Sequence, residues 1–149
     1  MITTHRGTEA LRRRLFFLGA SAPRCVVITA LALAMNCGPS EPLKISAIQV
    51  GRSLNSDDTV GNPTLTFKPN ETIYAAALND AAGAGTVAVR WIYAGQTVSE
   101  ETKEARFTRE GATAFHLQPP SAGFPAGDYR IEFTLDGQAV GTREFHVVK

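Results

Sequence analysis

Cysteine is nearly missing from this chain. The 149 residues include two cysteines, Cys25 and Cys37, and residues 38–149 contain none. A disulfide framework is therefore excluded for that part of the chain. A basic surface is missing as well, because residues 37–149 contain 10 Lys and Arg against 13 Asp and Glu. Nucleic acid is bound mainly through clustered Lys and Arg, so we expect no nucleic-acid partner.

A membrane-spanning hydrophobic run is also missing. The uncharged stretch Cys25–Met35 has 11 residues, whereas a bilayer needs about 20. Residues 1–36 hold five Arg and a single acid, so a positive segment precedes the apolar one, as in a signal peptide. The alternative is an uncleaved N-terminal anchor. A helix long enough to span would have to join Leu15–Ala20 to the apolar run, and it would put Pro23 and Arg24 into hydrocarbon, which is costly.

Cys37 follows the apolar run, in the segment Ala34-Met35-Asn36-Cys37-Gly38. This segment resembles the lipobox of bacterial lipoproteins, although Asn36 stands where that family has Gly or Ala. The resemblance implies that residues 1–36 are a lipoprotein signal peptide and that Cys37 is the lipidation site. Gly38, in the position where Asp favours retention in the inner membrane, implies anchoring in the outer membrane.

Lipidation of Cys37 would make the membrane a partner of this chain without any spanning helix. Two or three acyl chains anchor a protein stably, at about 0.8 kcal/mol per buried CH₂. Residues 37–42 would then be a short lipid-anchored tether. The alternatives are an ordinary structural Cys37, or a disulfide with Cys25 that would have to form inside a signal segment.

From residue 43 onward, apolar side chains alternate with a period of two. Thr86–Tyr93 and Tyr129–Leu135 show this most clearly, and Gly and Pro separate the strand-like segments. The further predicted strands are Leu43–Val50, Thr64–Phe67, Thr72–Leu78, Gln96–Ala105, Ala112–Gln118 and 138–148. Seven or eight short strands in residues 43–149 predict one all-β domain, an antiparallel two-sheet sandwich.

The last two predicted strands should form a hairpin. Asp136-Gly137 lies between them, and this dipeptide favours a two-residue turn with positive φ at both positions. Val140 is out of step with Phe145, so we expect a bulge near Gly141. Phe133 and Phe145 would then both point into the core.

Trp91, in the middle of an apolar strand, and the segment Pro125-x-Gly127-x-Tyr129 before the penultimate strand carry a second resemblance. Residues 43–149 resemble the immunoglobulin-like domains of bacterial exported proteins. The cysteine pair of immunoglobulins is absent, so Trp91 is expected to pack on aliphatic side chains. The resemblance implies a fold and leaves the ligand open.

The remaining polar residues predict no catalytic, metal or cofactor site. His116 and His146 lie between core residues and should face solvent, without clustered carboxylates or Cys. The polar loop 53–59 lacks the spacing of an EF-hand. A charged strand should form an exposed sheet edge, and its charges are Glu100, Glu101, Lys103, Glu104 and Arg106.

Known catalytic motifs such as Gly-x-Ser-x-Gly, the P-loop and the dinucleotide fingerprint are absent from the sequence. We therefore expect a non-enzymatic, membrane-anchored binding or adhesion module whose partner is an envelope protein or a glycan. One alternative is a structural or assembly subunit of a cell-envelope complex. Another is a soluble exported accessory domain with an uncleaved or signal-peptidase-I-type leader.

Overall fold

A computed structural model describes residues 40–149. The signal segment 1–36 and Cys37 lie outside the described residues. Within residues 40–149 no helix is long and apolar enough to cross a membrane. All regular structure there is β: β1 Ala47–Leu54, β2 Val60–Pro63, β3 Thr66–Phe67, β4 Ile73–Asn79, β5 Gly83–Tyr93, β6 Gln96–Phe107, β7 Gly111–Leu117, β8 Gly127–Leu135 and β9 Gln138–Val147.

The strands form two sheets packed face to face. One has four strands in the order β2-β1-β4-β7, and the other has five in the order β3-β9-β8-β5-β6. Each strand pairs antiparallel with its neighbours except β3, which runs parallel to β9. In the four-stranded sheet β4 lies between β1 and β7, and in the five-stranded sheet β8 lies between β9 and β5. This is the immunoglobulin arrangement, and the predicted fold class is confirmed.

Aromatic side chains fill the space between the sheets. Trp91 is 1% exposed and lies edge-on to Phe145, with ring centroids 6.2 Å apart. Phe67 meets the same Phe145 ring at 5.4 Å, and Phe115 meets Phe133 at 5.8 Å. Trp91 thus packs against an aromatic ring on β9, within a core cluster that also contains aliphatic side chains such as Val89 and Ile131.

The C-terminal hairpin forms as predicted. Asp136 and Gly137 have φ values of 51° and 81°, and Leu135 pairs with Gln138. The register then shifts: Thr134 faces Ala139, whereas Phe133 faces Gly141. Val140 is therefore the extra residue of the predicted bulge, and Phe133 and Phe145 are both buried.

The β1–β2 hairpin departs from the predicted strands. Residues 40–149 form nine strands rather than seven or eight, and β1 occupies Ala47–Leu54 rather than Leu43–Val50. The Gly61-Asn62-Pro63 segment was one of the Gly- and Pro-containing stretches expected to separate strands. It belongs to β2, where Pro63 pairs with Gly51. Proline is tolerated there because β2 is an edge strand.

The same hairpin covers the outer face of the four-stranded sheet. Val60, Ala76 and Ala112 are buried there in a second small cluster, with Leu54 and Leu78 beside them. The backbone approaches closely at Gly51, where an added Cβ would lie 2.5 Å from both Asn62 O and Val60 Cγ1. Side chains on both faces of β4 are consequently buried.

Candidate functional site

The chain enters the sandwich beside the start of β5. Ala84 N donates to Glu41 O at 2.9 Å, and Leu43 N donates to Ala84 O at 3.0 Å. Pro42 forms a parallel bridge with Ala84, and Leu43 is 3% exposed. Glu41, which was predicted to belong to the tether, is thus hydrogen-bonded to the domain, and Pro42 is held between the two bonds.

This attachment distinguishes two ends of the sandwich. Strand directions place three short connections at the end where Glu41–Leu43 enter, here called the near end: residues 80–82, 108–110 and 136–137. The opposite, far end carries the connections 55–59, 68–72, 94–95 and 118–126. The far end therefore carries the longer loops, which is where binding residues of rigid scaffolds are usually found.

The far-end loop 118–126 has the sequence QPPSAGFPA and contains no charged residue. Within it, Gly123 N donates to Pro120 O at 2.8 Å. Phe124 N donates to Pro69 O at 2.8 Å, and the Phe124 side chain is 7% exposed. The loop is therefore fastened to the neighbouring loop and to the core.

Two tyrosines hold the end of this loop against the five-stranded sheet. Tyr129 Oη donates to Pro125 O at 3.0 Å, and Tyr93 Oη donates to Ala126 O at 3.3 Å. The first contact is the tyrosine corner of immunoglobulin folds, in which a Tyr near the start of this strand bonds to backbone a few residues upstream. Burial, and to a lesser degree Tyr93, raises the pKa of Tyr129 above its ordinary value.

In the polar loop 53–59, side-chain oxygens accept hydrogen bonds from donors within the same loop. Asp57 Oδ1 accepts from Thr59 N at 3.1 Å and from Thr59 Oγ1 at 2.6 Å. Asn55 Nδ2 also donates to Thr59 Oγ1, at 2.9 Å. The Thr59 hydroxyl, followed by its backbone N–H, holds the pKa of Asp57 below its usual value. These contacts shape a tight turn.

The two histidines face solvent on different sheets, as predicted. His116 on β7 lies beside Tyr74, with ring centroids 6.2 Å apart. His146 Nδ1 on β9 lies 2.5 Å from Asp128 Oδ1 on β8. Within residues 40–149 no three His, Cys, Asp or Glu side chains are grouped as metal ligands would be.

An open cavity of about 270 Å³ lies beside this histidine, at the far end of the five-stranded sheet. Asp128, Arg130, Glu144 and His146 contribute to its lining. Arg130 is paired with Glu132 at 3.0 Å. Sequence reasoning missed this cluster: alternation turns each residue outward, but only the β8–β9 register brings them together.

Comparison with known proteins leaves the family open. No protein-family profile matches the chain, and no curated protein matches it. Among solved structures it is similar to the CARDB domain of a Pyrococcus furiosus protein, crystallised in complex with di-metal ions. That similarity has 16% sequence identity and a TM-score of 0.36, and it covers 71% of this chain and 90% of the other.

Proposed function

We propose that this chain is an exported lipoprotein, anchored through acyl chains on Cys37 in the outer membrane, that displays its immunoglobulin-like sandwich as a non-catalytic binding module. The observation that supports this most directly is the fixed attachment of Glu41–Leu43 to Ala84 at the near end. An anchor on Cys37 would then lie towards the near end, opposite the long far-end loops.

The distance to the membrane follows from chain length. Gly38, Pro39 and Ser40 separate Cys37 from the hydrogen-bonded Glu41. Four residue steps of roughly 3.4 Å reach about 14 Å at most. An acylated Cys37 would therefore hold the near end against the lipid surface, with the far end directed away from it.

The far-end loops are the proposed contact surface for an envelope protein or a glycan. Loop 118–126 is held by the backbone bonds from Gly123 and Phe124 and by the two tyrosine hydroxyls. A loop that is ordered before binding loses less conformational entropy when a partner docks. The exposed Ser121, Ala122 and Ala126 have no ionisable group, so the surface suits an uncharged contact rather than an acid–base reaction.

The anchor is tested by metabolic labelling with an alkyne palmitate. We expect Cys37→Ala to abolish labelling and to release the protein from the membrane fraction. Cys25→Ala is the matched control, and it should be labelled like the parent protein because Cys25 lies in the segment that processing removes. A parent protein that takes up no palmitate and fractionates as soluble would contradict the lipoprotein proposal.

The orientation is tested separately with fluorescent labels on single introduced cysteines. Gln138→Cys places a label at the near end and Ser121→Cys places one at the far end, and both positions are exposed. In vesicles with spin-labelled headgroups, the label at 138 should be quenched more strongly. Equal quenching at both positions would contradict the orientation, even if Cys37 is acylated.

A further inference from the structure

Strand β7 lies at the edge of its sheet, and its uncharged composition suits pairing with another strand. It is the last strand of the four-stranded sheet and pairs on one side with β4. Its seven residues, GATAFHL, carry no Lys, Arg, Asp or Glu. Backbone groups along the other side of such a strand are a template for adding another strand.

The space beside this edge is open. A groove of about 360 Å³ runs between β7 and β6, and residues 103–107 and 112–116 contribute to its lining. β6 belongs to the other sheet and is itself the terminal strand there. The two sheets therefore end side by side on this flank with unfilled space between them.

Lys103 crosses that space. It lies on β6, and its Nζ donates to Ala114 O on β7 at 2.7 Å. The ammonium also lies 4.8 Å from the centroid of the Phe115 ring and 3.3 Å from Glu101 Oε1. A carbonyl, a ring face and a carboxylate therefore hold the charge over the middle of the β7 edge.

The opposite flank shows the same arrangement. Arg143 on β9, in the five-stranded sheet, donates from Nε to Ile48 O on β1, in the four-stranded sheet, at 3.3 Å. β2 pairs with the second half of β1, from Gly51 onward, so Arg143 reaches the half that β2 leaves uncovered. On each flank a long cationic side chain from the larger sheet meets an edge carbonyl of the smaller one.

We propose that Lys103 protects the β7 edge against pairing with another strand. With its ammonium on Ala114 O, the edge accepts no further strand, and without it β7 pairs antiparallel with β7 of a second copy of this chain. A second copy is the matching occupant, because antiparallel pairing of β7 with itself brings together two strands that carry no Lys, Arg, Asp or Glu. Charged side chains on or over an edge are a common protection against such pairing.

The test compares whole-chain variants in a mild non-ionic detergent, so that any association through the leader is common to all of them. Lys103→Met keeps the length of the stem and removes the donor, whereas Lys103→Arg keeps a donor. Lys68→Met is the matched control, because Lys68 is exposed and its ammonium makes no ion pair or hydrogen bond within residues 40–149. Light scattering after size-exclusion chromatography gives the mass, and hydrogen exchange reports on residues 111–117.

We expect Lys103→Met to approach twice the mass of the parent as concentration rises, with increasing protection of residues 111–117. Lys103→Arg and Lys68→Met should keep the parent mass. The double variant Lys103→Met/His116→Lys places a charge on β7 itself and should return to the parent mass. The proposal is overturned if Lys103→Met keeps the parent mass or unfolds without associating. Protection of a different strand in the associated form, or persistence of the dimer with His116→Lys, would overturn it equally.

Discussion

The two sheets of this sandwich differ in how many of their faces are buried. In the five-stranded sheet, Trp91 and Phe133 face the core, whereas Arg90 and Glu132 face solvent and lie 3.7 Å apart. In the four-stranded sheet, Ala75 and Ala76 are both 0% exposed although they point to opposite faces. The second face is closed by Val60 from the β1–β2 hairpin.

The number of buried faces did not decide which strands could be recognised, because β4 and β7 of the four-stranded sheet were predicted to within one residue of their observed ends. A strand with one solvated face alternates between apolar and polar residues, and β5, β6, β8 and β9 were each predicted to within three residues of their observed ends. The β1–β2 hairpin has no such alternation. Within a few residues it forms the edge of the four-stranded sheet, makes a turn, and packs Val60 on the outer face of that sheet. Its first strand was displaced and its second was missed.

The largest expected effect is in the core that both sheets share. Trp91→Ala removes a ring that is 1% exposed, and truncation of a buried aromatic typically costs about 3–5 kcal/mol. Urea unfolding followed by circular dichroism gives the free energy of unfolding. Arg90→Ala, one residue away on the solvent face, is the control and should cost little. Similar losses for the two variants would mean that the five-stranded sheet does not have one buried and one exposed face.

The next effect tests the covered face of the four-stranded sheet. Gly51→Ala would push a Cβ against Asn62 O and Val60 Cγ1, and overpacking of this kind typically costs about 1–3 kcal/mol. The same unfolding measurement applies. Val60→Ala in the Gly51→Ala background removes the one obstructing side chain and leaves the backbone oxygens of Asn62 and Gly61, so the double variant should lose less than the sum of the two single losses. Strict additivity would argue that β2 does not lie over Gly51.

A smaller effect is expected at the turn that joins β8 to β9. Gly137 has a φ of 81°, and an added Cβ there would meet no atom within 4 Å. Gly137→Val should therefore lose stability through its backbone conformation alone, by roughly 1–2 kcal/mol. Gln138→Thr is the mild control at the start of β9. A Gly137→Val protein as stable as its parent in thermal unfolding would contradict the positive φ.

The smallest effect concerns the tyrosine corner. Tyr129→Phe removes the bond to Pro125 O, which is worth about 0.5–1.5 kcal/mol. Because burial raises the pKa of Tyr129 above 10.0, folding favours its neutral form. The associated stability is complete below the pKa of the unfolded chain and is lost as pH rises through the folded pKa. At alkaline pH, the free energy of unfolding should thus decrease less steeply with pH in Tyr129→Phe than in the parent protein. The same pH dependence in both proteins would contradict a buried phenol.

Part of the candidate site could also be predicted from the sequence. Pro125, Gly127 and Tyr129 were identified through the resemblance to immunoglobulin-like domains, and the structure joins Tyr129 to Pro125 as a tyrosine corner. The Asp128–His146 pair could not be identified, since it depends on the register of two strands. Lipidation of Cys37 stays a prediction of the sequence, because that residue lies outside residues 40–149.

The sequence by itself determined the strand period, the Asp136-Gly137 turn, the bulge at Val140 and the burial of Trp91. Each of these depends on side-chain alternation or on backbone preferences within a few residues. Only the tertiary structure decided that β2 covers Ala76, that Glu41 bonds to Ala84, and that Lys103 reaches Ala114 on the other sheet. Neither segment in such a contact predicts its partner from its own sequence. Packing and register between distant strands are fixed by the whole core rather than by local preference.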